Sequence, residues 1–268
     1  MKTLRLGLVA AVFLSCHYAL AGNAAACKAS LDQCPLQGCA KDAPSALVNV
    51  TKHGHAMSGT PVSLTFADFL SLQQQLDKMF NGNYATLAKP DRMRLKNLQI
   101  GGQKVGEGDF VEVTGFIAVQ PSGSHPHANT GESVNCNLHG PPNNDFHINL
   151  TPKSGDTEFH GIVVEMIPQN RDANWTEARL ALVQQAGLMV RARGQLMLDN
   201  HHFVNGDPNN NKGSQPKRFA LWEVHPIVEF DVCTAGSSCT ATSSSWQPLE
   251  NWNQSGSGSS SGGKKKHP

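Results

Sequence analysis

Histidine and carboxylate residues recur close together in the second half of this chain. A carboxylate precedes a histidine by two residues at Asp145/His147 and at Glu223/His225. Further residues of these types are Glu165, Asp199, His201 and His202. Such a set can hold a divalent metal ion, whose bound water becomes a nucleophile near neutral pH. Without a metal, a histidine beside a glutamate can act as a general base.

A plainer interpretation applies to each of these residues taken singly. Polar residues that alternate along a strand are typical of a solvated face, where carboxylates pair with histidine or with arginines such as Arg191 and Arg193. The chain contains no H-E-x-x-H, G-x-S-x-G or P-loop motif that would decide the chemistry. Both interpretations therefore stay open, and the positions of the strands become the next question.

The stretch 219–233 is the clearest strand. It alternates with period two, which predicts one face in the core and the other in water. The predicted core face comprises Ala220, Trp222, Val224, Val228, Phe230 and Val232. Glu223 and His225 belong to the predicted solvated face. Pro226 cannot donate a ladder hydrogen bond, so it predicts an edge position or a bulge.

Four earlier segments have strand character, and one helix lies among them. The predicted strands span 110–120, 145–150, 158–167 and 188–199. The helix is predicted over 174–186, with Asn174 and Glu177 as a capping box and Gly187 after its end. The element order is therefore β-β-β-α-β-β, which predicts a mainly β domain.

This element order resembles the OB-fold, a five-stranded Greek-key barrel. The segments 145–147, 163–168 and 221–226 also look similar to uncharacterised exported bacterial proteins of this barrel type. The resemblance implies a domain that binds oligonucleotides or oligosaccharides on the face of its second and third strands. It implies no catalytic residues, and the site residues of staphylococcal-type nucleases, which share the barrel, are not found at matching positions.

Outside the barrel, the sequence predicts three further regions. Residues 1–21 have the charged start, short apolar run and Ala19-Leu20-Ala21 cleavage motif of a signal peptide, with a lipid anchor at Cys16 as the alternative. Residues 22–105 form a cysteine-containing leader and helical extension, with a helix over 65–80. The barrel is assigned to 106–239, and a disordered Ser/Gly/Lys tail to 240–268.

Six cysteines remain after the predicted leader peptide or its lipid anchor is set aside: Cys27, Cys34, Cys39, Cys136, Cys233 and Cys239. An even number in an exported protein favours disulfide bonds, although six cysteines allow 15 pairings. Cys233 and Cys239 bracket a short loop and are a plausible pair. Zinc binding by Cys27, Cys34 and Cys39 is the alternative, without a C-x-x-C spacing to support it.

The distribution of charge along the chain indicates which class of ligand is preferred. The whole chain has a formal net charge of +1, but 13 acidic and 8 basic residues fall between Phe110 and Cys233. An acidic barrel with few exposed aromatic candidates disfavours nucleic acid. An oligosaccharide or cell-envelope component is therefore the preferred ligand, and no predicted segment is suited to cross a membrane.

Three functional hypotheses follow. The first is an exported OB-like binding domain for an oligomeric ligand. The alternative is a metal-dependent hydrolase that uses Asp145, His147, Glu223 and His225. The third is a structural envelope protein without a small ligand. The sequence leaves the oligomeric state and the identity of any ligand open.

Overall fold

The computed structural model describes residue 27 and the ranges 30–54, 57–84, 86–119, 127–128, 131–204 and 217–253. The predicted signal peptide, with the alternative lipid site at Cys16, and the tail after residue 253 lie outside the described residues. In chain order the strands are β1 (Val62–Leu64), β2 (Leu98–Ile100), β3 (Gln103–Val105), β4 (Phe110–Ile117), β5 (His127–Ala128), β6 (Phe146–Thr151), β7 (Ile162–Met166), β8 (Met189–Leu198), β9 (Trp222–Cys233) and β10 (Trp246–Pro248). The helices are α1 (Ala43–Lys52), α2 (Phe66–Phe80), α3 (Lys89–Met93) and α4 (Glu177–Gln185).

Five strands close into a barrel. Strand β4 pairs with β8, β8 with β9, β9 with β7, β7 with β6, and β6 pairs back to β4. All these pairings are antiparallel except that of β7 with β9. The chain is therefore mainly β, with a closed five-stranded barrel of OB type and an N-terminal helical extension, as the element order predicts.

The barrel interior is apolar. One face of each strand supplies side chains that are essentially buried, including Val113, Ile148, Val164, Ala192 and Trp222. Helix α4 covers the barrel near β4 with Leu180 and Val183, both fully buried. This interior fixes which face of β6, β7 and β9 must point outward, because side chains alternate along a strand.

Strand β9 departs from strict alternation at its centre. Its register against β8 shifts twice, between Arg193 and Gly194 and between Gly194 and Leu196. Each shift adds one residue to β9, as in a β-bulge, which confirms one of the two readings of Pro226. The prediction for Val228 is wrong: Val228 is only partly buried, and Ile227 takes the core position.

The helix of the barrel also begins later than predicted. Thr176, rather than Asn174, is the N-cap of α4, and its hydroxyl accepts a hydrogen bond from the Arg179 N–H at 3.2 Å. Helix α2 matches its prediction closely, with Thr65 and Asp68 forming a reciprocal capping box. Capping by side chains therefore defines both helix starts, and the cap of α4 lies two residues beyond the position predicted from sequence.

The N-terminal extension contains a helix that the sequence interpretation missed. Helix α1 begins after Asp42, whose carboxylate accepts a hydrogen bond from Ser45 N–H at 2.7 Å, with proline in the first turn. Asp followed by proline in the first turn is a recognisable helix-start signal. This helix packs against the loop 131–145 and brings Lys52 into the interior of the protein.

Residues 240–253 are folded, which corrects part of the predicted tail. Strand β10 pairs antiparallel with β9, and a short 3-10 helix follows over Leu249–Asn251. Leu249 and Trp252 join the apolar core, and Trp175 donates an indole hydrogen bond to Glu250 at 2.9 Å. Two apolar residues are enough to anchor this short segment.

Four of the six cysteines form disulfide bonds, Cys34 with Cys136 and Cys233 with Cys239. The second pair confirms the short-loop prediction. Cys27 and Cys39 are free thiols, so the disulfide bonds that the even number favours do not extend to these two candidates. Burial, reinforced by the neighbouring Cys27 thiol, raises the pKa of Cys39 to about 12. The two bonds are compatible with an oxidising compartment.

Within the described part of the chain, the helices are too short or too polar to span a lipid bilayer.

Candidate functional site

The outward faces of β6, β7 and β9 hold a set of ionisable side chains that is covered rather than solvated. His147, Glu165, Glu223 and His225 alternate with core residues on these three strands. Segments beside the strands complete the set. We call it the outer-face cluster, and its members are Lys52, Glu132, Asp145, His147, Glu165, Asp199, Arg218, Glu223 and His225.

Helix α1 and the loop 131–145 form the cover. The Cys34–Cys136 disulfide joins the segment before α1 to that loop. Asn49 on α1 donates hydrogen bonds to Gln37 O at 2.9 Å and to Ser133 Oγ at 3.1 Å. At the end of the helix, Gln195 on β8 donates to Thr51 O at 2.8 Å. The cover is thus held by a covalent bond and by polar contacts to the loop and the barrel.

Gly54 shows how closely the cover approaches the barrel. A Cβ atom at this position would lie 2.1 Å from the side-chain oxygen of Gln195. Gln195 also donates a hydrogen bond to the backbone oxygen of His225 at 2.9 Å. A larger residue at Gly54 would therefore push directly on the side chain that links α1 to the strand carrying His225.

The centre of the cluster is His225, whose ring lies between three carboxylates. Its Nδ1 is 3.0 Å from Glu165 Oε2 and 3.5 Å from Glu223 Oε2, and its Nε2 is 3.5 Å from Asp145 Oδ2. All four side chains are at most 1% exposed. Despite these distances, none of the named atoms makes a hydrogen bond with a residue that the structure describes.

A second group adjoins the first and shares Glu165. His147 Nε2 is 3.0 Å from Glu132 Oε1 and 3.3 Å from Glu165 Oε1. Lys52 Nζ lies 3.8 Å from Glu132 Oε2 and 4.0 Å from Glu165 Oε2. Glu165 therefore presents one oxygen to each histidine, while the ammonium of Lys52 lies near both of its neighbouring carboxylates.

Arg218 closes the opposite side of the cluster. Its guanidinium donates to Glu223 and, at 3.3 Å, to Asp199 Oδ2. Asp199 also contacts the imidazole of His202, whose side chain is 53% exposed. A buried arginine between two buried carboxylates offsets their charge where water cannot.

The pKa values follow from burial and from these neighbours. Burial alone would disfavour the charged imidazole of His225, but the Glu165 carboxylate outweighs it and raises the pKa to about 10. The pKa of His147 rises to about 9, because Glu165 and Glu132 likewise outweigh burial. The pKa of Glu165 falls to about 2, since His147, His225 and Lys52 outweigh its burial. Without another ligand, both histidines are therefore cationic at neutral pH.

Asp145 and Glu223 shift in the other direction. Burial, with repulsion from Glu132, raises the pKa of Asp145 to about 6. Burial, with repulsion from Asp199, also raises the pKa of Glu223. Both carboxylates are therefore harder to ionise in the folded protein than in water.

The structure brings together most of the residues that the sequence singled out. Asp145, His147, Glu165, Glu223 and His225 converge in one cluster, and Asp199 joins it through Arg218. His202 lies at its exposed edge, and the backbone N–H of His201 donates a hydrogen bond to Asp199 Oδ1 at 3.1 Å. The prediction that Glu223 and His225 face water is wrong, because both are fully buried beneath the cover.

Sequence reasoning missed Lys52, Glu132 and Arg218. Lys52 became visible only with helix α1, whose start signal at Asp42 was available in the sequence. Glu132 and Arg218 lie in irregular segments, where no periodicity predicts the direction of a side chain. Their roles depend on tertiary contacts alone.

Elsewhere on the outside of the barrel, the predicted carboxylate–arginine pairs are present, although Glu112, Arg191 and Asp231 are buried and not solvated. Arg191 pairs with Asp231 at 2.6 Å, and Arg193 pairs with Glu112 at 2.9 Å and Glu229 at 2.8 Å. These arginines satisfy carboxylates on adjacent strands and lie in register with them. The contrast separates ordinary cross-strand ion pairs from the unbonded atoms of the outer-face cluster.

The chemistry of the cluster favours a cation. Asp145, Glu165 and His225 each offer one ligand atom, and these atoms all lie within 4.8 Å of one another. Glu132, His147 and Glu165 form a second such group. Ligand atoms bound to a tetrahedral zinc ion are about 3.3 Å apart, given bond lengths near 2.0–2.1 Å. One ion binds a single imidazole nitrogen, so only one of the two short separations at His225, 3.0 Å from Nδ1 to Glu165 or 3.5 Å from Nε2 to Asp145, belongs to the ligand set, and it is close to that size.

Comparison with known proteins gives no relationship for this chain: no family model matches it, and neither a curated protein nor a solved structure is significantly similar to it.

Proposed function

We propose that this protein is an exported barrel protein that binds one divalent transition-metal ion, with Asp145, Glu165 and His225 as ligands. Carboxylate oxygen and imidazole nitrogen are ligands that zinc accepts readily, so zinc is the reference ion. The main support is the set of fully buried, unbonded oxygen and nitrogen atoms around His225. Buried polar atoms normally have partners, and orphaned ones that converge point to a missing ligand.

The charge of the cluster supports the same proposal. Five carboxylates face the cations Lys52, Arg218 and, with its raised pKa, His147. With a neutral His225, as a metal ligand must be, the members of this cluster, counted among the described residues alone, carry two more negative than positive charges. One divalent ion neutralises this excess, which removes a large electrostatic cost.

We also propose that the barrel belongs to the OB-fold superfamily and that the chain is exported. The pairing order of the five strands, including the parallel pair of β7 and β9, supports the first proposal. The two disulfide bonds support the second.

The hydrolase and oligomer-binding hypotheses remain proposals with less support. Hydrolysis needs access for substrate and water, yet Asp145, Glu223 and His225 are fully buried. OB-type barrels bind oligomers on the face of the second and third strands, which are β6 and β7 here. That face lies beneath α1 and the loop 131–145, so an oligomer would reach it only after this cover moved.

The test is a metal titration of the full chain, produced in an oxidising compartment and stripped with a chelator. We expect one zinc ion per chain by native mass spectrometry and by isothermal titration. His225→Gln and Asp145→Asn should each weaken zinc binding by more than about 100-fold, beyond the usual effect of a residue that only orients a ligand. Near-UV circular dichroism of each variant verifies its fold.

Matched controls use residues of the same types outside the cluster. Glu229 lies exposed on the same strand as His225, and His160 is exposed in a short 3-10 helix. Glu229→Gln and His160→Gln should bind zinc as the wild type does. A wild-type protein that takes up no zinc, manganese or iron(II), or a folded His225→Gln variant with unchanged affinity, would overturn the proposal. Turnover of a nitrophenyl phosphate ester that disappears in the same variants would instead favour the hydrolase.

A further inference from the structure

The two candidate ligand groups share a single carboxylate. Glu165 Oε1 is 3.3 Å from His147 Nε2, and Glu165 Oε2 is 3.0 Å from His225 Nδ1. A carboxylate with one oxygen directed to each of two imidazoles has the geometry of a bridging ligand between two metal ions. Such pairs of ions are typically about 3.5–4 Å apart in two-metal sites. The barrel therefore carries the ligand types for two adjacent ions.

The side chain of Lys52 lies where its positive charge would oppose a metal ion in the second group. The ammonium of Lys52 lies 3.8 Å from Glu132 and 4.0 Å from Glu165, the two carboxylates of the second group. Its side chain is only 10% exposed, so its charge acts on these carboxylates without much screening by water. Lys52 is the last residue of α1, so the helix that covers the site also places this ammonium in it.

We propose that Lys52 determines how many metal ions the site holds: its ammonium supplies the positive charge that a second ion would bring, so the wild type binds one ion and a variant without this charge binds two. This inference rests on the proposed function, since it concerns the same site. It makes Lys52 a specificity-determining residue, and not a ligand.

Distance and charge give the reason. The ammonium of Lys52 lies within 4.0 Å of two of the three candidate ligands of the second group, Glu132 and Glu165. A divalent ion held by those ligands would therefore face a positive charge at close range, and burial leaves little water to screen the repulsion. Lys52→Met removes that charge and leaves the three candidate ligands in place.

The shape of the site agrees with this assignment. Lys52 lies at ion-pair distance from Glu132 and Glu165, 3.8 and 4.0 Å, which is too far for a hydrogen bond to either. Methionine has an unbranched chain of similar length, so Lys52→Met removes the charge while it keeps much of the packing along α1. Lys52→Arg keeps the charge and should keep the count at one.

The experiment measures zinc per folded chain by native mass spectrometry and elemental analysis in the disulfide-bonded full-length protein. We expect one ion in the wild type, two in Lys52→Met and one in Lys52→Arg. Lys41→Met is the matched control, because Lys41 is an exposed lysine just before the same helix, and it should hold one. Adding Glu132→Gln to Lys52→Met removes a ligand of the second group and should return the count to one.

The outcomes separate the two proposals. No zinc in any of these proteins overturns the proposed function and this inference with it. One ion in both the wild type and Lys52→Met leaves metal binding intact and overturns the role of Lys52, as do two ions in the wild type. If Lys52→Met does not fold without metal, refolding in zinc and Lys52→Gln give the same comparison, and a count of one in the folded variant is again the contradicting result.

Discussion

Trp222 and Glu223 are neighbours on β9, and both are fully buried, but they lie in opposite kinds of interior. Trp222 points into the apolar centre of the barrel, beside Val224 and Ile227 of the same strand. Glu223 points outward, to Arg218 and His225 beneath the cover. One strand therefore separates a hydrophobic core from a charged core.

This difference indicates that the apolar interior and the charged cluster contribute differently to the stability of the protein. Burial of apolar surface stabilises a fold by about 25 cal/mol per Å², whereas a buried ion pair roughly recovers only its own desolvation cost. The inner face of the barrel thus supplies stability. The outer-face cluster adds little to stability, which agrees with the cation binding that we propose for it. The following variants test this division of roles.

The largest effect is expected at the apolar face. Trp222→Ala should destabilise the protein by about 3–5 kcal/mol, because it leaves a large cavity. The indole N–H of Trp222 makes no hydrogen bond with any described residue, so Trp222→Phe removes an unsatisfied donor and should cost clearly less. Denaturant unfolding measures both. Equal costs for Ala and Phe would show that packing around this ring contributes little.

A similar effect is expected when the charged core loses its arginine. Arg218→Met leaves Asp199 and Glu223 buried without their shared cation, which should cost about 3–5 kcal/mol. Adding Glu223→Gln and Asp199→Asn removes the unpaired charges and should restore much of the loss. Unfolding curves of the single and triple variants are compared at one pH. No recovery in the triple variant would mean that Arg218 stabilises the protein by packing instead.

The fold was predictable because periodicity reports which side of a strand is apolar. Segments such as 145–150 and the helix at 65–80 appear within a few residues of their predicted bounds. Alternation failed at the centre of β9, since a bulge shifts the phase there and Ile227 takes the core position predicted for Val228. Helix α1 was missed because its apolar residues are interrupted by Asn49 and Lys52, both of which are buried.

The residue types of the candidate site were predictable from sequence, but their burial was not. Carboxylates and histidines on the same face of three strands had to lie near one another once the strands paired. Their burial depends on α1 and the loop 131–145, which Cys34 and Cys136 join over a sequence separation of 102 residues. Polarity in a sequence indicates which face a residue takes, but a distant segment decides whether that face meets water.

Loss of the Cys34–Cys136 disulfide should increase local opening of the cover over the cluster more than opening of the barrel. Replacing Cys34 and Cys136 together by serine should cost about 2–4 kcal/mol, since the bond closes a long loop in the unfolded chain. Amide exchange should rise mostly in α1, while β4 and β8 stay protected. Replacement of Cys233 and Cys239, which close a loop with a separation of only 6 residues, is the comparison. Uniform loss of protection across the barrel would contradict a separable cover.

The smallest effect is expected for deletion of the C-terminal end, because Trp252 is the last described residue that packs in the apolar core. Residues 255–268 contain no large apolar side chain, so their deletion should shift the melting temperature by less than about 1 °C. Deletion from Trp246 onward also removes Leu249 and Trp252, which are buried in the core, together with the strand paired to β9. That longer deletion should lower the melting temperature by several degrees, since burying each such side chain contributes about 1.5–3 kcal/mol. Thermal unfolding of the two truncated chains, each with intact disulfides, gives the comparison. A large shift from the short deletion would mean that the polar end contacts the folded protein, and the boundary of the core would then lie beyond Trp252.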